Sequence, residues 1–183
     1  MKSRKIGITI ACCVIVAVGF VLFQYEAKAL FWHVRHGSIE NWNDLQIRVP
    51  LTYNVNVVSS RSIQIFALPG HLRARLKAPF GVISMFHASD DAEGAEIAQL
   101  DNQIADALQG QGFRLVNTRS LEIAGTPMEC RERLAENFRS YGPAYSVHCQ
   151  TQSNRLFAQF EGSAGLLNEF YSVATGITKA KTK

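Results

Sequence analysis

The chain has 183 residues, 47% of them apolar and 19% charged, with 19 Lys and Arg against 15 Asp and Glu for a formal charge of +4. That length is about one domain, and that composition excludes a disordered tail, a collagen repeat and a disulfide-dense mini-scaffold. A basic excess suggests an anionic partner, so the positions of the charges have to be traced.

Residues 1–5 carry Lys2, Arg4 and Lys5 and no acid. The next 20 residues, Ile6 to Tyr25, are uncharged, and 16 of them are apolar. A helix of that length spans roughly 30 Å, the thickness of a hydrocarbon core. Residues 6–25 are therefore expected to form a single transmembrane signal-anchor helix, with 1–5 as its cytoplasmic flank. In the juxtamembrane segment 26–44, Lys28 and Arg35 face Glu26, Glu40 and Asp44. By the positive-inside rule the N-terminus is cytoplasmic and the following chain is extracytoplasmic, in the periplasm or at the cell exterior. The competing reading is a cleaved secretory signal, because Ala27-Lys28-Ala29 has the small-x-small form. Against it, the run exceeds the roughly 7–15 apolar residues of a signal peptide. Cys12 and Cys13 read as small apolar residues within the bilayer, and Phe31 and Trp32 suit an interfacial belt.

Leu45-Gln46-Ile47-Arg48-Val49 alternates apolar and polar residues and stops at Pro50, a strand pattern. Tyr53–Val57, Ser62–Phe66 and Gly81–Phe86 repeat it. The period then changes: Ile97, Leu100, Ile104 and Leu108 predict an amphipathic helix, opened by Asp90 with Glu93 three residues on and closed by Gly110 and Gly112. Further strands are expected near Phe113–Ile123, Pro127–Leu134, Tyr145–Gln150 and Arg155–Glu161, then a short helix carrying Leu166, Leu167, Phe170, Tyr171, Ala174 and Ile177. This order predicts one exported α+β domain over residues 45–178, an antiparallel sheet packed with two helices, followed by a basic tail at 179–183.

Cys130 and Cys149 fall on consecutive predicted strands, and their midpoint lies in the turn-rich stretch Glu136–Pro143. A hairpin reversing there sets them directly opposite each other, within disulfide reach. In an oxidising compartment the bond is expected, stabilising the domain by about 3 kcal/mol on the chain-entropy model. The alternatives are buried free thiols or a redox pair, and the missing C-x-x-C speaks against the second.

Of His33, His36, His71, His87 and His148, only His33-x-x-His36 is closely spaced, and it lacks the further ligands zinc requires. No metal site and no cofactor are expected. Arg73, Arg75 and Lys77 form a candidate binding loop for an anionic lipid or glycan, weighed against a solvated hairpin loop. Without aromatic interleaving or a helix-turn-helix, nucleic acid is not supported as a partner. Asp90, Asp91, Glu93 and Glu96 read as acids at a helix N-terminus rather than a calcium loop. Gly125 and Gly162 read as turn glycines. No phosphate loop, nucleophile elbow, zinc helix or Ser/His/Asp set is evident, so no catalytic residue is assigned.

The order of elements resembles a known family. Ile47-Arg48-Val49-Pro50 with Tyr53, the strands Ser62–Leu68 and Val82–His87, the long helix, Leu121–Gly125, and the unit from Phe157 through Gly162 to Ile177 are similar to the PsbP-like α/β/α sandwich. The Trp32–Gly37 segment leading into Val49-Pro50 also resembles small single-span bacterial exported proteins. The PsbP-like resemblance implies a non-enzymatic binding or assembly role and supplies no site residues; together with the anchor and the missing catalytic set it leads to the expectation of an accessory or assembly factor with an envelope protein as a partner. The alternatives are an exported hydrolase or transferase whose site forms only in three dimensions, and a lipid or glycan binder acting through Arg73, Arg75 and Lys77. Setting aside the basic N-terminal flank and tail Lys179, Lys181 and Lys183 leaves 13 basic against 15 acidic residues. The basic excess thus reports membrane orientation and a tail, not a polyanionic ligand.

Overall fold

The computed structural model describes residues 16–19, 23–68, 79–138, 142–153 and 155–180. Most of the expected span and all of the 71–77 loop, including Arg73, Arg75 and Lys77, lie outside the described residues. Among the described residues no helix is long and apolar enough to cross a membrane.

The domain is α+β and antiparallel. Its strands are β1 (Ile39–Trp42), β2 (Leu45–Arg48), β3 (Asn54–Ser59), β4 (Ser62–Ala67), β5 (Gly81–His87), β6 (Arg114–Ile123), β7 (Thr126–Ala135), β8 (Ala144–Thr151), β9 (Leu156–Ser163) and β10 (Thr178–Lys179). Its helices are α1 (Gln24–His36), α2 (Asp91–Gly110) and α3 (Leu167–Thr175). Seven strands form one sheet in the order β3-β4-β5-β9-β8-β7-β6, and β1-β2-β10 form a small second sheet. Strands β1 and β10 were not anticipated: Ile39–Trp42 does not alternate cleanly, and Thr178–Lys179 is a two-residue strand held only by pairing with β2.

Side chains alternate across each strand, so the large sheet has two distinct faces. One face presents Ile63, Ile65, Ile83, Met85, Val147 and Phe160 to α3 and the small sheet, forming the main core with Trp42, Ile47 and Phe170. Phe160 and Phe170 stack with ring centroids 5.2 Å apart. Cys130 and Cys149 are direct cross-strand partners on this face and are disulfide-bonded, as their spacing predicted. The opposite face carries α2.

Two sequence readings are corrected. Leu100 is exposed, and the centre of the buried face of α2 is Asp101, with Gly94 and Leu108 on either side. A one-position rotation of the stripe places a carboxylate where a leucine was expected, because the sheet beneath offers polar partners. Gly162 is no turn glycine: it lies within β9 opposite Gly81, and a Cβ there would come 2.7 Å from both the Phe160 ring and the Phe80 carbonyl oxygen. Gly125, in contrast, does turn the chain: with Ala124 it forms a two-residue hairpin at positive φ between β6 and β7.

The start of α2 follows its sequence signature. The Asp90 side chain accepts from the Glu93 N–H at 2.9 Å, and the Glu93 carboxylate accepts from the Ser89 N–H and hydroxyl, each at 2.7 Å. Asp91 pairs with Arg155 at 2.9 Å, so the acidic cluster secures the helix end.

Candidate functional site

Strand register builds the site. Gln64 on β4, Ser84 on β5, Gln159 on β9 and His148 on β8 are consecutive cross-strand partners, forming a polar row across the α2 face. The adjacent row runs Val82, Glu161, Ser146, Arg133. These two rows of the second face thus carry hydroxyls, carboxamides, an imidazole and charged groups, bordered by the buried Phe157 and its partner Phe86, where the first face carries Ile, Met and Phe.

Asp101 of α2 reaches down onto these rows. Its Oδ1 accepts from His148 Nδ1 and, at 3.1 Å, from Gln159 Nε2. A carboxylate only accepts, so His148 Nδ1 carries a hydrogen, and in the neutral ring Nε2 accepts from the Ser146 hydroxyl at 2.9 Å. Asp101, His148 and Ser146 are all buried, at 7%, 7% and 2% exposure. The chain fixes the orientation of all three side chains and anchors α2 to β8 and β9. Arg133, the cross-strand partner of Ser146, has a buried Nη1 without a hydrogen-bond partner. Burial lowers its pKa; the carboxylates of Asp101 and Asp106 oppose that shift.

Beside this chain, α2 leaves part of the sheet uncovered. A cleft of about 450 Å³ opens there, floored by Gln64, Ser84, Gln159, Ser146 and His148. Its wall is mostly apolar, from Leu68, Phe80, Val82, Ile104 and Leu108, and the exposed Glu161 adds one carboxylate to the lining. Phe80 and Ile104 also pack against a small cluster of Leu108, Phe113, Ala135, Phe138 and Ala144 that closes one end of the α2 interface. A volume of this size and a lining of apolar walls around a few fixed polar groups suit a small-molecule site.

Among the described residues the histidines do not converge, and His71 lies outside them. His87 lines a separate depression with Asp44 and Arg155. Both ring nitrogens of His33 lie 2.9 Å from carbonyl oxygens, of Gly37 and Pro50, and His36 Nδ1 is 3.0 Å from the Trp32 carbonyl. Among the described residues no group of three or more His, Cys, Asp or Glu is placed to hold a metal ion. Sequence reading missed Asp101 altogether, and it missed the pairing of Ser146 with His148. The two alternate on β8 and so share a face, which is a signal the sequence carried. Asp101, 47 residues from His148, is brought in only by the fold.

The same sheet also holds a buried carboxylate on its other face. Glu132 of β7 accepts from the Tyr171 hydroxyl at 2.6 Å and pairs with Arg119 Nε at 2.6 Å, and the Arg119 guanidinium lies 4.3 Å from the Tyr171 ring. Burial, followed by the hydrogen bond and charge of Glu132, raises the Tyr171 pKa. That cluster ties α3 to the sheet.

No family model matches the chain, and no curated protein matches it. Among solved structures it is similar to the solution structure of cyanobacterial PsbP (CyanoP) from Synechocystis sp. PCC 6803, at 11% identity and a TM-score of 0.47, covering 76% of this chain and 89% of that one. The PsbP-like resemblance is thus present as a weak likeness of fold.

Proposed function

We propose that the chain is a membrane-anchored binding module: residues 6–25 span the bilayer with the N-terminus cytoplasmic, and the exported domain binds a small, uncharged, polyhydroxylated ligand of the saccharide class in the cleft beside α2. The observation that carries this reading is the polar row Gln64–Ser84–Gln159–His148 flooring an open cleft. The Gln64 and Gln159 carboxamides and the Ser84 hydroxyl can donate and accept, and the Glu161 carboxylate can accept, as sugar hydroxyls require. The apolar wall matches the C–H faces of a sugar ring. Export is supported by the charge asymmetry around 6–25 and by the Cys130–Cys149 bond, which suits an oxidising compartment. An assembly role with an envelope partner is compatible with the same cleft, since a ligand there would bridge α2 and the sheet.

The test is a thermal-shift panel of neutral mono- to tetrasaccharides, N-acetylhexosamines included, against wild type, Ser84→Ala and Gln159→Ala. A saturable stabilisation by a neutral saccharide, weakened in both variants, is expected. Stabilisation by none of them, or equally in the variants, contradicts the reading.

One observation favours a second reading, an exported hydrolase. Asp101, His148 and Ser146 are hydrogen-bonded in the order of orienting carboxylate, base and nucleophile, Asp to Nδ1 and Nε2 to the hydroxyl. Against it, Ser146 is 2% exposed, and β8 is paired on both edges. Its N–H groups are therefore committed to the ladders and build no oxyanion hole. A fluorophosphonate probe discriminates: no labelling is expected, whereas labelling abolished by Ser146→Ala would establish the hydrolase.

A further inference from the structure

Helix α1 has one side fixed by the domain. Ala29 and His33 are buried, Trp32 packs against the main core, the Asn54 side chain donates to the Tyr25 carbonyl at 3.2 Å, and His33 meets the Pro50 carbonyl. With that side docked, the opposite side is determined. Phe23, Leu30, Phe31 and Val34 are 51%, 60%, 65% and 79% exposed. At about 100° per residue these positions fall within roughly a 100° arc, with Ala27 among them. Lys28 and Arg35, exposed and one heptad apart, lie together along one edge of the arc, and Glu26 borders the other. Beside them a groove of about 620 Å³ is lined by Phe31, Trp32, Lys28 and Arg35.

A folded domain rarely leaves four large apolar side chains contiguous in water. The occupant follows from the chain itself: the uncharged run 6–25 leads into α1, and Phe23, where α1 begins, departs from helical geometry at φ −114° and ψ 22°, so α1 can leave the axis of the span. Whatever bilayer holds residues 6–25 is thus the nearest apolar phase to this stripe. An apolar arc with a cationic edge suits a helix lying in a lipid–water interface, where Lys and Arg meet anionic head groups.

We infer that α1 docks on the surface of the bilayer where the span ends, burying Leu30, Phe31 and Val34 among the head groups and holding the domain against the membrane. The inference rests on the membrane-anchor reading of residues 6–25, and its test separates the two. The full chain, with Cys12 and Cys13 replaced by alanine, is reconstituted in nanodiscs of phosphatidylethanolamine and phosphatidylglycerol. An environment-sensitive fluorophore is attached at Leu30→Cys or Val34→Cys, and at Gln103→Cys on the exposed side of α2 as a reference. Quenching by head-group-proximal spin-labelled lipids is expected to be several-fold stronger at 30 and 34 than at 103, and to weaken when Lys28 and Arg35 are both changed to Gln. Equal quenching at all three sites overturns the docking, whatever the state of the anchor. Carbonate extraction of native membranes decides the anchor separately: retention supports it and release contradicts it.

Discussion

The two faces of the seven-stranded sheet solve the same packing problem with different chemistry. Under α3 the contact is largely apolar, with Phe170 fully buried on Phe160 and one buried carboxylate, Glu132, satisfied by Tyr171 and Arg119. Under α2 the contact is a hydrogen-bonded chain, with Asp101 at its centre and a cleft alongside. Apolar burial is non-directional and fills its space, whereas a polar contact holds a helix at defined points and leaves the surface between them open. The difference fits the proposed reading, in which one face carries stability and the other recognition.

Substitutions sharpen or break this contrast. The largest effect is expected from Phe170→Ala, which empties the α3 face and costs roughly 3–5 kcal/mol, read as a lowered midpoint of urea unfolding. Asp101→Ala strips acceptors from His148 and Gln159 at once and costs roughly 3 kcal/mol. Its distinctive signature is local: amide exchange accelerates through α2 while β4, β5 and α3 stay protected. Uniform loss of protection would show that α2 is integral to the core, and the contrast between faces would fail.

A smaller effect is expected at alkaline pH. The Tyr171 phenol, and the Tyr53 phenol buried near Glu169, hold their protons above the ordinary value. Their contribution is therefore complete below about pH 10 and is lost as pH rises, because the unfolded chain releases those protons first. Melting temperatures from pH 8 to 11 should fall less steeply in Tyr171→Phe than in wild type. The smallest effect belongs to Glu93, whose pKa is lowered by hydrogen bonds from the Ser89 side chain and backbone and by Arg61. That contribution is present at neutral pH and is lost as the carboxylate protonates. Acidification should fray the first turn of α2, seen as faster exchange there than in Glu93→Gln relative to its own neutral value.

Much of the fold was legible in the sequence because periodicity and turn chemistry are local. Asp90 with Glu93, the alternation from Leu156 to Phe160, and the opposition of Cys130 and Cys149 all follow from spacing along the chain. The site was less legible, since it depends on which residues the sheet order brings side by side. Gln64 and Gln159 are 95 residues apart in sequence, yet one strand, β5, separates them in the sheet. Asp101 was hidden by its own helix, where a polar residue between Ile97 and Ile104 reads as solvated until the polar sheet beneath it is seen. The close approach at Gly162 was equally hidden, because it arises from packing against Gly81 and Phe80 across strands.

The most direct test of recognition on the α2 face is a titration of the isotopically labelled, nanodisc-embedded chain with neutral saccharides, followed through the side-chain amide signals of Gln64 and Gln159. The account predicts saturable shifts at both, with the Arg119 and Tyr171 signals of the opposite face unmoved. Shifts confined to the α3 face, or none at either glutamine across the panel, would contradict it.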